Sequence, residues 1–151
     1  MPQTQLLREH AFTQGLSEAQ IEALAEIATP VTFDENELIL VDGERSRSFY
    51  LLSSGSVVVE LRTPMYVIAV QALGPGKVFG WSALLDDHDT LFQVRAREST
   101  TALQIDGAAL KAECMSNTAL GAEFFRRILS VVAGRVKATE LRFAEMCGIK
   151  V

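Results

Sequence analysis

Leu73-Gly74-Pro75-Gly76-Lys77-Val78-Phe79-Gly80-Trp81-Ser82-Ala83-Leu84-Leu85 is the stretch on which the reading of the chain turns. A Gly-Pro-Gly turn leads into a short β-branched and aromatic run. Gly80 then frees the backbone just before Ser82-Ala83-Leu84-Leu85, which reads as one turn of helix capped by Ser82. A turn of glycine and small residues at a helix start gathers backbone N–H groups into one concavity, suited to an anion or another acceptor-rich ligand.

On either side lie short apolar segments divided by turn residues. The pattern predicts strands over residues 31–33, 38–41, 48–52, 57–62, 66–72, 77–79, 92–97 and 102–105. Asp34-Glu35-Asn36, Asp42-Gly43-Glu44 and Ser53-Ser54-Gly55 mark the turns, because Asn and Gly tolerate left-handed backbone. Eight strands at this spacing predict a small antiparallel barrel or jelly roll.

Helical patterns flank the strands. Residues 6–12 predict a short helix, and Ser17-Glu18-Ala19-Gln20 forms a capping box ahead of Ile21, Leu24, Ala25 and Ala28, with Pro30 ending the helix. After the last strand a short helix is expected at 107–116, then a long one across 117–146. In the long helix Phe125, Leu129, Val132, Val136, Thr139, Phe143 and Met146 recur at alternating spacings of four and three, a heptad seam. Leu120, Phe124, Ile128 and Val131 form a second stripe. Two apolar faces need two covers: the strands supply one, and a second copy of the helix supplies the other, giving a homodimer. The alternative folds the helix wholly onto its own barrel.

At 151 residues and 48% hydrophobic content, the chain is expected to form one domain over 1–151, with N-terminal helices in 1–30 and the β region in 31–106. A formal net charge of -5 argues against broad attraction to nucleic acid or anionic lipid, and Arg126-Arg127 with Arg135 and Lys137 reads as a solvated helix face. The start lacks a secretory pattern and no apolar run reaches the ~18 residues of a membrane span, so a cytoplasmic protein without membrane contact is expected. Cys114 reads as a small core residue and Cys147 as an incidental thiol. His10 and His88 lie far apart in polar surroundings, so neither metal nor cofactor is expected. No Ser or Cys stands in a nucleophile-elbow context, and Asp86-Asp87 with Asp89 reads as a solvated acidic loop. No enzyme activity is expected.

Phe79-Gly80, Ala83 and Leu84, set among these strands, resemble the effector-sensing domain of the cyclic-nucleotide-binding (catabolite activator and Fnr) family. The resemblance runs from about residue 12 to about residue 143. The family's phosphate-binding cassette reads approximately Phe-Gly-Glu-x-Ala-Leu, followed by a loop and Arg-Ala/Ser-Ala. It implies a mainly β fold with flanking α, namely an eight-stranded antiparallel β-barrel or double-stranded β-helix (jelly roll) plus a long C-terminal helix. It also implies a ligand held by Gly80, Trp81, Ser82 and Ala83, by Thr90 or Leu91 in the loop, and by Arg135 and Thr139 on the helix.

Two of these positions depart from the family. Trp81 stands where its Glu meets the ribose, and Thr90, or Leu91 if the loop differs by one residue, stands where its Arg meets the phosphate. Arg135-Val136-Lys137-Ala138-Thr139 resembles the helix segment whose Thr reaches the base in the catabolite activator subgroup, which Thr139 matches. Arg135, one turn earlier, is either a replacement for the lost cassette charge or part of an ion pair. Trp81 either stacks on a flat ligand or fills the pocket. Only residues 144–151 follow Phe143, too few for a helix-turn-helix, so no DNA binding by this chain alone is expected. Two functions follow: a dimeric ligand-sensing regulatory module whose small-molecule effector is not tightly bound cAMP or cGMP, or a closed-pocket module that binds a protein partner.

Overall fold

The computed structural model describes residues 2–85, 89 and 91–149. Its strands are β1 (Ala28–Phe33), β2 (Leu38–Leu40), β3 (Ser48–Ser54), β4 (Val57–Arg62), β5 (Val67–Leu73), β6 (Val78–Phe79), β7 (Gln93–Ala96) and β8 (Thr100–Asp106). All eight expected strands are therefore present, and every pairing is antiparallel. They do not close into a barrel. They form two four-stranded sheets, ordered β1-β8-β3-β6 and β2-β7-β4-β5. Closure would need uninterrupted rows of N–H and C=O groups at the edges, whereas β6 offers only Val78 and Phe79 and β2 shifts register between Leu38 and Leu40.

β3 explains how two cores share one strand. Successive side chains of a strand point to opposite faces, and here both faces are buried. Tyr50 and Leu52 join Val57, Val59, Phe79 and Val94 in a core drawn from both sheets. Phe49 and Leu51 instead join Leu103 and Ile105 in a core covered by the helices.

The N-terminal helix α1 spans Pro2–Glu9, not 6–12. His10 ends it by capping a 3₁₀ turn: its Nδ1 accepts from the Phe12 N–H at 3.1 Å, and its Nε2 donates to the Leu52 carbonyl at 2.7 Å. His10 is thus 6% exposed, not set in polar surroundings, and burial holds its pKa below the usual histidine value. The capping box of Ser17 and Gln20 opens α2 (Glu18–Glu26) as expected. Pro30 does not end that helix. It lies inside β1, which among the described residues is an edge strand paired only with β8, where a missing N–H removes no bond from the outer side.

Asp106 caps α3 (Gly107–Ser116) by accepting from the Ala109 N–H, and Asn117 caps α4 (Thr118–Met146) by accepting from the Leu120 N–H. Cys114 of α3 is buried in the core and Cys147 is exposed. Leu120 and Phe124 anchor the start of α4, with Ile128 and Val131 packed against the same core. Phe124 meets the rings of Phe12 and Phe49 edge-on at 5.3 and 5.5 Å. The first half of α4 is thereby fixed, and its second half runs beside β5 and the 73–85 stretch.

Candidate functional site

Gly80 sets the geometry of that stretch. Its φ is +84°, and a Cβ there would lie 2.5 Å from the Ser48 carbonyl oxygen of β3. Only glycine combines left-handed backbone with so close an approach. The chain then forms a 3₁₀ turn over Trp81–Leu84, and Gly80 holds its cap position without a side-chain bond. Ser82 is consequently not the expected cap. It is buried inside the turn, whose bonds run from the Ala83 N–H to the Gly80 carbonyl and from the Leu85 N–H to the Ser82 carbonyl. On the far side the turn rests on Gly107, where a Cβ would come within 2.5 Å of the Ala83 carbonyl oxygen.

Between this turn and α4 lies a cavity of about 430 Å³. Phe79, Gly80, Trp81 and Ser82 form one wall, while Leu40, Leu91, Phe92 and Val94 continue it with Asp89 at the side. Val132, Arg135, Val136, Thr139 and Glu140 of α4 form the opposite wall. Phe79 is held by a stacked contact with Tyr50, centroids 4.8 Å apart, and the Tyr50 hydroxyl accepts from Gln104 Nε2 at 3.1 Å. One wall is therefore fixed to the core of β3 and β8.

Of the residues expected to meet a ligand, Gly80, Trp81, Ser82, Leu91, Arg135 and Thr139 line this cavity together. Ala83 is not part of its lining, because the turn directs it toward Gly107. Thr90 falls outside the described residues, as do Asp86, Asp87 and His88. Trp81 is half-buried and packs against the helix-covered core, so its indole borders the cavity and leaves it open.

Arg135 reaches across from α4 to β5, where its Nε donates to Gln71 Oε1 at 2.8 Å. No described carboxylate forms an ion pair with it, so the ion-pair reading has no partner within the described chain. Burial pulls its pKa down to about 10, and the guanidinium remains a cation at neutral pH. Thr139 is turned inward on its own helix, its Oγ1 donating to the Arg135 carbonyl at 2.8 Å. Arg126 and Arg127 both pair with Glu123, and Arg127 also donates to the Gln14 carbonyl, so these charges serve the helix surface and the docking of α4.

The expected seam divides. Val132 and Val136 face the cavity, although Val136 keeps 49% of its surface exposed. Phe125 is 37% exposed, and Leu129 and Phe143 are each 69% exposed, an uncovered apolar line along α4. The sequence reading missed Leu40, Phe92 and Val94 as cavity residues. Leu40 and Val94 are register partners across β2 and β7, a relation visible only once the strands are paired. Among the described residues no cluster of His, Cys, Asp and Glu could hold a metal ion, and no helix is long and apolar enough to cross a membrane.

A family model for the cyclic nucleotide-binding domain matches residues 30–117. A cGMP-dependent protein kinase from Eimeria tenella is 29% identical over 101 residues, covering 67% of this chain but only 10% of the kinase's length. A candidate cyclic nucleotide-binding protein from Geobacter metallireducens superposes with a TM-score of 0.78 at 24% identity, over 90% of this chain and 99% of that one. The regulatory subunit of a cAMP-independent protein kinase A from Trypanosoma brucei superposes with a TM-score of 0.72 at 20% identity, over 94% of this chain and 49% of that one. That structure is a triple mutant, one change of which replaces threonine by arginine, and it is bound to cAMP in its A site. These superpositions establish a shared fold.

Proposed function

Because the chain belongs to the cyclic nucleotide-binding domain family, matched over residues 30–117, we propose that it is a regulatory sensor module whose effector is a small molecule other than a tightly bound cyclic nucleotide. The observation that carries this reading is the open cavity of about 430 Å³ between the Gly80 turn and α4, apolar over most of its wall. Its volume lies within the range of roughly 300–1,000 Å³ usual for small-molecule sites. An open cavity beside Trp81 weighs against the alternative of a pocket closed by the indole.

A cyclic nucleotide would meet Trp81 in place of a carboxylate, and Thr90 or the apolar Leu91 in place of an arginine. Two charge-assisted hydrogen-bonded contacts are lost, each worth roughly 1.5–3 kcal/mol. Together they weaken binding by about 10²- to 10⁴-fold. The Trypanosoma subunit offers a parallel for the arginine position, since a protein described as cAMP-independent is bound to cAMP in a triple mutant that gains an arginine while losing a glutamate and a valine. Calorimetry with cAMP and cGMP should show no binding at micromolar concentration by this chain, and a gain of affinity in the Trp81→Glu, Thr90→Arg double variant. Micromolar or tighter binding by the unaltered chain refutes the reading.

The module is also proposed to act as a homodimer through α4. Support comes from the exposed Phe125, Leu129 and Phe143, which share one heptad line with Val132 and Val136.

A further inference from the structure

We infer that the cavity beneath α4 selects a compact apolar monocarboxylate, whose carboxylate pairs with the terminal nitrogens of Arg135 while its body fills the space between Trp81, Phe92 and Val132. The inference rests on the reading of this cavity as an effector site, and it adds the chemical class of the effector.

Arg135 is the only arginine or lysine among the described lining residues. Gln71 accepts from Nε, fixing the plane of the guanidinium and leaving the Nη1 and Nη2 end as its free pair of donors. Two parallel N–H groups in one plane match the two oxygens of a carboxylate. A partly buried guanidinium hydrogen-bonded to a neutral amide bears a desolvation cost that an anionic ligand would offset.

The remaining wall decides what accompanies the anion. Phe79, Phe92, Val94 and Val132, which make up much of the wall, offer no partner for the hydroxyls of a sugar, and Thr139 already donates to its own helix. Leaving such hydroxyls unpaired in the cavity costs binding, whereas an aromatic or alkyl body loses nothing on entry. Charge sets the limit on the anion. Asp89 and Glu140 border the same space, so the described lining carries one guanidinium and two carboxylates. A second negative charge on the ligand would be uncompensated and repelled.

Trp81 is the only tryptophan of the chain and borders the cavity, so its emission reports occupancy directly. The test titrates 3-phenylpropionate, octanoate, the corresponding amides and phenyl phosphate, following Trp81 emission. The carboxylates are expected to give saturable changes, with the amides and the phosphate dianion at least about tenfold weaker. Arg135→Gln should cost the carboxylates about tenfold or more and leave the amides unchanged. Gln71→Glu serves as a second variant, because it keeps Arg135 in place and supplies an internal carboxylate, and it should cause the same selective loss. Equal binding of acid and amide, tighter binding of phenyl phosphate, or carboxylate affinity indifferent to both variants overturns the inference while leaving an effector site. Absence of any saturable response to the carboxylates also overturns it, and micromolar binding of cAMP in the same assay removes the effector reading as well.

Discussion

Replacing Gly80 by alanine tests whether the turn that builds the cavity depends on one backbone conformation. The residue has φ +84°, and left-handed backbone costs an L-residue about 1–2 kcal/mol. The added Cβ would also stand 2.5 Å from the Ser48 carbonyl oxygen, a backbone atom of a strand buried on both faces, so the turn itself must move. Overpacking of this kind costs roughly 1–3 kcal/mol. The sum, about 2–5 kcal/mol, is a large share of the roughly 5–15 kcal/mol by which a domain is stable. For about 150 residues it corresponds to a fall in Tm of roughly 4–20 °C. Thermal and urea unfolding of Gly80→Ala, followed by circular dichroism, measure it, and a shift in Trp81 emission of the folded variant would show the turn displaced. Gly74→Ala is the control, because a Cβ there meets nothing within 4 Å and its φ is not positive. Its Tm should change little or rise slightly. A Gly80→Ala protein melting within about 2 °C of the parent would refute the reasoning.

The α4 dimer predicts that the chain sediments at twice its mass at micromolar concentration and that Leu129→Lys with Val136→Lys yields a folded monomer; a parent already monomeric, or a variant still dimeric, sinks it. His10 gives a pH dependence with a definite sign. Its folded pKa is depressed by burial, so the unfolded chain binds the proton more readily, and stability present above about pH 6.5 is lost as pH falls through the folded value. Tm measured between about pH 7 and 5 should fall more steeply for the parent than for His10→Gln, and identical slopes would remove His10 as the cause. Glu18 and Glu123, held low by Arg8 and Arg126, add to the pH dependence only at more acidic pH: their stabilisation is present above the usual carboxylate range and lost as pH falls through their folded values.

Local chemistry made much of the fold legible. Strand positions followed from β-branched runs between turn residues, and the Ser17 and Gln20 box marked the start of α2 to the residue. The errors arose where tertiary context outweighed local signals. Pro30 reads as a helix stop, yet on an edge strand its missing N–H is harmless. His10 reads as lying in polar surroundings, yet two backbone groups satisfy its two nitrogens and make its burial tolerable. Barrel and two-sheet arrangements share the same strand pattern, and only the short β6 and the irregular β2 separate them.

The helix seam shows what periodicity can and cannot say about function. Spacings of four and three place Phe125, Leu129, Val132, Val136 and Phe143 on one line, and that line exists. A line on a helix fixes which residues share a face, not what covers it. Here Phe124 and its neighbours dock the first turns of α4 on the core and so fix the helix axis, and the close approach of Gly80 to Ser48 ties the turn to β3. The middle of the seam is thereby left facing the cavity at Val132 and Val136, while its ends at Phe125, Leu129 and Phe143 face outward. Arg135 lies between those two valines and follows them into the wall, which is how a residue that reads as one of several surface charges becomes the half-buried cation of the site.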